Sequence, residues 1–151
     1  MAMDVEILLV EDDPTDLDLT LRALRKKNVA QRIEIARDGV EALDFIFCQG
    51  EHQQRSIEQQ PKLIMLDLKL PRVDGLQVLK KIKEDSRTQS IPVVVLTSSA
   101  EERDIRNTYE LGVNSFVTKP VDFQAFTETI SQLAGYWLQV NQAPRASWIA
   151  S

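Results

Sequence analysis

The chain has 151 residues, 43% hydrophobic and 27% charged, enough for one domain with a buried core. Its 18 basic and 23 acidic residues leave a net charge of −5, which argues against a nucleic-acid binder built on a basic face and against a polybasic membrane anchor. Cys48 is the only cysteine and His52 the only histidine, so an intrachain disulfide, a catalytic histidine pair and a zinc site of several His and Cys ligands are all excluded within one chain.

The single cysteine reads as a cytoplasmic protein. Met1-Ala2-Met3-Asp4 lacks the basic and apolar segments of a signal peptide, and apolar runs such as Leu63–Leu66 fall far short of a membrane span. The run Val5–Val10 predicts a first strand buried on both faces. Leu17, Leu21 and Leu24 then form one helical face. Asp16 and Asp18 fall inside that pattern and read as solvated. Ile33 and Ile35, alternating with Arg32 and Glu34, predict a second strand, and Ala42, Leu43, Ile46 and Phe47 a second helix. Gly50–Gln60 is polar and without period, and reads as a solvated loop carrying His52. Leu63–Leu66 predicts a third strand, and Leu76, Leu79 and Ile82 a third helix. Val93–Leu96 predicts a fourth strand, followed by a weaker helix marked by Ile105, Tyr109 and Leu111 and closed by Gly112. Ser115–Thr118 predicts a fifth strand. Asp122 caps a last helix whose apolar face runs Phe123, Phe126, Ile130, Leu133, Trp137. The tail carries Pro144, and its Trp148 and Ile149 suggest a segment that docks.

Strand followed by helix, five times over, predicts an α/β fold: a doubly wound parallel sheet with helices on both faces, because parallel neighbours need crossovers. Ligands in such sheets bind at the carboxyl ends of the strands. Glu11, Asp12 and Asp13 follow the first strand, Asp67 the third, Thr97 with Ser98 and Ser99 the fourth, and Lys119 with Pro120 the fifth. Two carboxylates about 4 Å apart repel by roughly 4 kcal/mol at an effective dielectric of about 20. A hard divalent cation relieves such crowding, and oxygen-only ligands suit Mg²⁺ better than zinc. A carboxylate can also serve as a nucleophile that forms an aspartyl phosphate, with Thr97 donating to a phosphoryl oxygen and Lys119 neutralising its charge. Each residue alone has a plainer reading: turn former, helix-terminal acid, solvated lysine. Suitable groups at four of five strand ends weigh against that reading.

These segments resemble the receiver domain of two-component response regulators over nearly the whole chain, from about Val5 to Leu138. The resemblance is carried by Leu8-Leu9-Val10-Glu11-Asp12-Asp13-Pro14, Met65-Leu66-Asp67-Leu68-Lys69-Leu70-Pro71, Asp74-Gly75, Pro92-Val93-Val94-Val95-Leu96-Thr97 and Lys119-Pro120. The 30-residue interval from Asp67 to Thr97 and the 22-residue interval from Thr97 to Lys119 match as well. The resemblance implies a flavodoxin-like sheet of order 2-1-3-4-5, with the receiver over residues 1–140 and a tail over 141–151. It implies Asp67 as phosphoacceptor, Asp12 as direct Mg²⁺ ligand, Glu11 acting through water, and the Lys69 carbonyl facing the metal. It implies Thr97 and Lys119 as switch hydroxyl and phosphate-facing lysine, Phe116 as switch aromatic, and a cis bond before Pro120. The chain departs from the pattern in the Gly50–Gln60 insertion and in having Phe116 where some members carry Tyr.

The function implied is acceptance of a phosphoryl group on Asp67 from a sensor histidine kinase. The donor histidine must lie in another chain, since His52 sits in a polar loop. A receiver of this length leaves no room for a DNA-binding domain, so output is expected through protein contacts with a downstream partner. Tyr136-Trp137-Leu138 extends the last helix, which points to a homodimer there or to packing of Trp137 on its own domain. The insertion and this ending resemble single-domain regulators that serve cyanobacterial phytochromes. Two alternatives stand beside this reading. One is a receiver-like interaction module that works without phosphorylation. The other is a magnesium-dependent phosphatase, which wants a second acid where Lys69 stands.

Overall fold

Residues 5–26, 32–99 and 101–144 are described by the computed structural model of the chain. Ile7–Val10 (β1), Leu63–Leu66 (β3) and Val93–Thr97 (β4) are buried at every position. Their unbroken apolar runs follow from a central place in a sheet covered on both faces. Ile33–Ala36 (β2) and Ser115–Thr118 (β5) are only partly buried, because they form the two edges. The sheet is wholly parallel, in the order β2-β1-β3-β4-β5. This is the doubly wound arrangement expected.

The helices are Pro14–Lys26 (α1), Gly39–Ile46 (α2), Gly75–Glu84 (α3), Glu102–Glu110 (α4) and Phe123–Gly135 (α5). Alternate strand residues face opposite sides, so two cores form. Leu8, Val10, Ile64, Leu66 and Val95 pack with Ala42, Phe45, Val78, Leu79 and Ile82. Ile7, Leu9, Met65, Val94 and Leu96 pack with Leu17, Leu24, Phe126 and Ile130. Short side-chain caps start the helices: Asp38 accepts from Glu41 N, Asp122 from Ala125 N, and Asp74 forms a reciprocal pair with Gln77.

Several expectations are corrected. Tyr109 and Phe123 point outward, at 54% and 58% exposure. In α4 the fully buried residue is Thr108, whose hydroxyl donates to the Ile105 carbonyl, so a polar side chain takes the inward place without an orphaned donor. Phe123 is the first residue of α5, ahead of the turn that meets the sheet. The Gly50–Gln60 insertion is not a free loop. It holds a short 3-10 turn at Gly50–His52, the Arg55 guanidinium stacks 3.6 Å over the Phe45 ring, and Gln60 Nε2 donates to the Ile46 carbonyl at 2.7 Å. Arg55 also donates to the Phe45 carbonyl. The open end of α2 supplies these acceptors. No described peptide bond is cis, so the bond before Pro120 is trans, the lower isomer of an X–Pro bond by about 0.5–1 kcal/mol.

One ammonium ties the far edge together. Lys83 Nζ on α3 donates to the carbonyls of Gln89 and Ile91 at 2.9 and 2.8 Å and to Asn114 Oδ1 at 2.9 Å. Asn114 Oδ1 also accepts from Val93 N at 2.8 Å, which links the start of β4 to the approach to β5. After α5 the helix widens into a π-helical turn, Tyr136–Val140. Trp137 and Leu138 pack on the α1–α5 core, whereas Tyr136 and Val140 are exposed. Trp148 and Ile149 lie outside the described residues.

Candidate functional site

The sheet register assembles the site. Val10 pairs with both Ala36 and Leu66, so the next residues of β1 and β3, Glu11 and Asp67, emerge side by side. Glu11 N donates to the Ala36 carbonyl at 3.0 Å, Asp67 N to the Val10 carbonyl at 3.1 Å, and Lys119 N to the Thr97 carbonyl at 2.7 Å. Each chemistry-bearing residue is thus held by the backbone of the neighbouring strand. Gly75 lets the loop after β3 fold back closely: a Cβ there would lie 2.3 Å from the Asp67 carbonyl oxygen.

Lys119 is the centre of the group. Its Nζ donates to Glu11 Oε1 at 2.6 Å, Asp16 Oδ2 at 2.8 Å and Asp67 Oδ2 at 3.0 Å. Asp16 therefore is not solvated, as its place in the helical pattern suggests. It lies in the first turn of α1 and faces the strand ends. Asp18 does remain outside, paired with Arg22. Asp13 serves as the cap of α1, accepting from Thr15 N and Asp16 N. Lys69 N donates to Asp67 Oδ1 at 3.2 Å.

The electrostatics follow from burial. Loss of water pushes the Glu11 carboxyl up; the Lys119 hydrogen bond opposes this and the Asp67 charge adds to it, leaving Glu11 raised to about 7. Burial pulls Lys119 down, but its bonds to Asp16 and Glu11 and the nearby carboxylate charges override that, so the ammonium is held above its ordinary value. It stays charged. One ammonium does not neutralise the acids around it.

Glu11, Asp12 and Asp67 each offer a carboxylate oxygen, and these oxygens lie within 4.8 Å of one another. Asp12 is exposed while the other two are buried. An all-oxygen set with excess negative charge fits a hard divalent cation. An open pocket of about 440 Å³ reaches this group and is lined by Asp12, Asp13, Pro14, Asp16, Asp67, Lys69, Ser98 and Lys119. Thr97 is fully buried at the end of β4, where its Oγ1 accepts from Ser99 N at 3.4 Å. Phe116 is half-buried and packs on the α2–α3 side of the sheet. The structure thus brings Glu11, Asp12, Asp67, Lys69 and Lys119 together and leaves Thr97 and Phe116 behind the pocket. The residue that sequence reasoning missed is Asp16. Its signal was its position two residues after Pro14, in the first turn of the helix that begins beside the acids.

Comparison with known proteins defines the class. The response regulator receiver domain family matches residues 7–131, and the chain belongs to that family. Among its relatives, response regulator Rcp1 of Synechocystis is 38% identical over 140 residues, covering 93% of each chain. The Mn²⁺-bound form of Rcp1 superposes with a TM-score of 0.85 at 37% identity, over 94% of this chain and 99% of that one. The phosphorylated cyanobacterial phytochrome response regulator RcpA superposes with a TM-score of 0.86 at 37% identity and the same coverage. A probable methanogenesis regulatory protein, FilR2 of Methanothrix harundinacea, is 42% identical over 138 residues, 91% of this chain and 86% of its own. The resemblance to regulators of cyanobacterial phytochromes is thereby borne out. The chain is a receiver-type response regulator rather than a typical enzyme, and no described helix is long and apolar enough to cross a membrane.

Proposed function

We propose that the chain accepts a phosphoryl group on Asp67 from a phosphohistidine of a sensor histidine kinase, and passes the signal on by protein contacts. The observation that carries this reading is the Asp67 carboxylate, held at a strand end, open to a pocket and 3.0 Å from the buried Lys119 ammonium. An Asp67 oxygen forms a bond to phosphorus as the phosphorus–nitrogen bond breaks, and the imidazole leaves with the electron pair. Lys119 stabilises the charge on the phosphoryl oxygens. Glu11, Asp12, Asp67 and the Lys69 carbonyl would hold Mg²⁺, which when bound supplies charge neutralisation for phosphoryl transfer. The Mn²⁺-bound form of Rcp1 supports a divalent ion. Thr97 and Phe116 repack after transfer, which shifts the population between two states of the α4–β5–α5 face.

The kinase class proposed is a phytochrome, on the likeness to RcpA. The protein works in the cytoplasm, as one receiver over 1–140 with 141–151 as a tail. A second copy docks on the last helix, where Tyr136 and Val140 remain 49% and 64% exposed after Trp137 has packed inward.

Intact mass after incubation with Mg²⁺ and phosphoramidate tests the acceptor. One phosphoryl adduct is expected on the wild-type chain and none on Asp67→Asn. An adduct that persists in Asp67→Asn overturns the assignment, and no adduct on either leaves the interaction module as the better reading. Light scattering tests the dimer: a monomer before and after phosphorylation counts against it.

A further inference from the structure

Lys119 has three N–H donors, and all three are taken. Their acceptors differ in one respect. The side chains of Glu11 and Asp67 are 5% and 9% exposed, whereas that of Asp16 is 28% exposed. A phosphoryl oxygen on Asp67 can gain a Lys119 donor only if one of these bonds is given up. Before transfer, releasing Glu11 or Asp67 would leave a buried carboxylate without its ammonium, which is costly. Releasing Asp16 leaves a carboxylate that water can reach from the pocket it lines.

We propose that Asp16 is a positioning residue for phosphoryl transfer: it occupies the third donor of Lys119 in the resting protein, and release of that bond frees the donor for the phosphoryl oxygens on Asp67. This rests on Asp67 being the acceptor. Asp16 touches neither phosphorus nor metal in this scheme; it acts through Lys119, setting how readily the ammonium turns toward the incoming group. With phosphoramidate as donor, an Asp67 oxygen–phosphorus bond forms while the phosphorus–nitrogen bond breaks. The nitrogen, already protonated in the zwitterionic donor, leaves as ammonia with the electron pair.

The test compares adduct formation by intact mass in the wild type, Asp16→Asn and Asp18→Asn, with Mg²⁺ and phosphoramidate. Asp18 lies on the same helix but is exposed and paired with Arg22, away from the pocket and from Lys119. Asp18→Asn therefore removes the same charge from α1 without touching the contact. Asp16→Asn is expected to form adduct about three- to tenfold faster than wild type, the range for weakening one charge-assisted hydrogen bond. Asp18→Asn is expected to stay within about twofold. A gain in rate is also what a merely structural role would not give, since local damage slows the reaction and lowers Tm together. An unchanged or slower Asp16→Asn overturns the proposal, as does an equal gain in Asp18→Asn, which would mark a general field effect. Asp16→Ala, which removes the acceptor altogether, should repeat the gain; its failure to do so overturns the proposal too. If the wild type forms no adduct, the acceptor reading itself fails and takes this inference with it, a result distinct from all the others.

Discussion

Glu11 Oε1 and Lys119 Nζ meet at 2.6 Å although 108 positions separate them in the chain. Both side chains are nearly closed off from water, at 5% and 6% exposure. Such a pair is stabilising only with good geometry and further partners, because removing two charges from water costs several kcal/mol per ion. Asp16 and Asp67 supply those partners for the ammonium, and the Asp13 N–H supplies one for Glu11.

The raised Glu11 carboxyl couples metal binding to pH. Its ordinary value is 4.5 and its folded value about 7, with burial as the main cause, opposed by the Lys119 hydrogen bond and reinforced by the Asp67 charge. Between those values the folded state binds more protons than the unfolded, so this group lowers stability as pH rises through that window. Lys119 acts in the same direction in a higher window: raised above its ordinary 10.5, it contributes stability that is present below that value and lost as pH climbs past the folded one. A divalent cation has to displace the Glu11 proton below about 7. The gain in Tm on adding MgCl₂ to metal-free protein is therefore expected to be larger at about pH 8 than at about pH 6. Thermal melts with EDTA and with MgCl₂ at the two values measure it, and equal gains contradict the prediction.

Replacing Lys119 by Met leaves Glu11 and Asp67 buried without their cation. Without metal the substitution should cost about 3–5 kcal/mol in urea unfolding. Added Mg²⁺ should recover part of that loss, more than it stabilises the wild type. A loss that Mg²⁺ does not reduce would show that the carboxylates are not the source of the cost.

A Cβ on Gly75 would stand 2.3 Å from the Asp67 carbonyl oxygen and 2.5 Å from Leu68 Cα. Both are backbone atoms and cannot rotate away. Gly75→Ala is expected to destabilise by about 1–3 kcal/mol or more. It should also slow phosphoryl uptake, because the displaced strand end carries Asp67. Full uptake at wild-type rate would mean that the α3 start moves instead.

Lys83 Nζ donates to three oxygens at the approach to β4 and β5. Lys83→Met keeps the bulk of the stem and removes the donors. It should lower stability by about 2–3 kcal/mol, seen as a shift of the urea midpoint at constant slope. A neutral result would show that water replaces the ammonium at these carbonyls.

Much of this architecture can be read from the chain itself, since its two strongest signals are local. Runs such as Leu63–Leu66 and Val93–Leu96 can be buried only as central strands of a covered sheet, and parallel order with crossovers leaves few topologies. Once the strand ends are located, the acids, Thr97 and Lys119 fall on one edge with no further information. What lies beyond local periodicity is different. Asp16 satisfies the solvated face of α1 by its spacing, yet the helix starts so close to the strand ends that this turn faces Lys119. Arg55 reads as part of a polar loop, yet the aromatic face of Phe45 and the open carbonyls at the end of α2 capture it. Lys83 belongs to a charged helix surface by pattern, yet three oxygens from a later strand junction enclose its ammonium. In all three, a polar or charged side chain takes its partner from outside its own helix or turn, and hydrophobic period carries no record of where such a partner arrives. Apolar burial depends on the residue's own face; ion-pair and hydrogen-bond partners depend on packing, and so only the tertiary structure decides them.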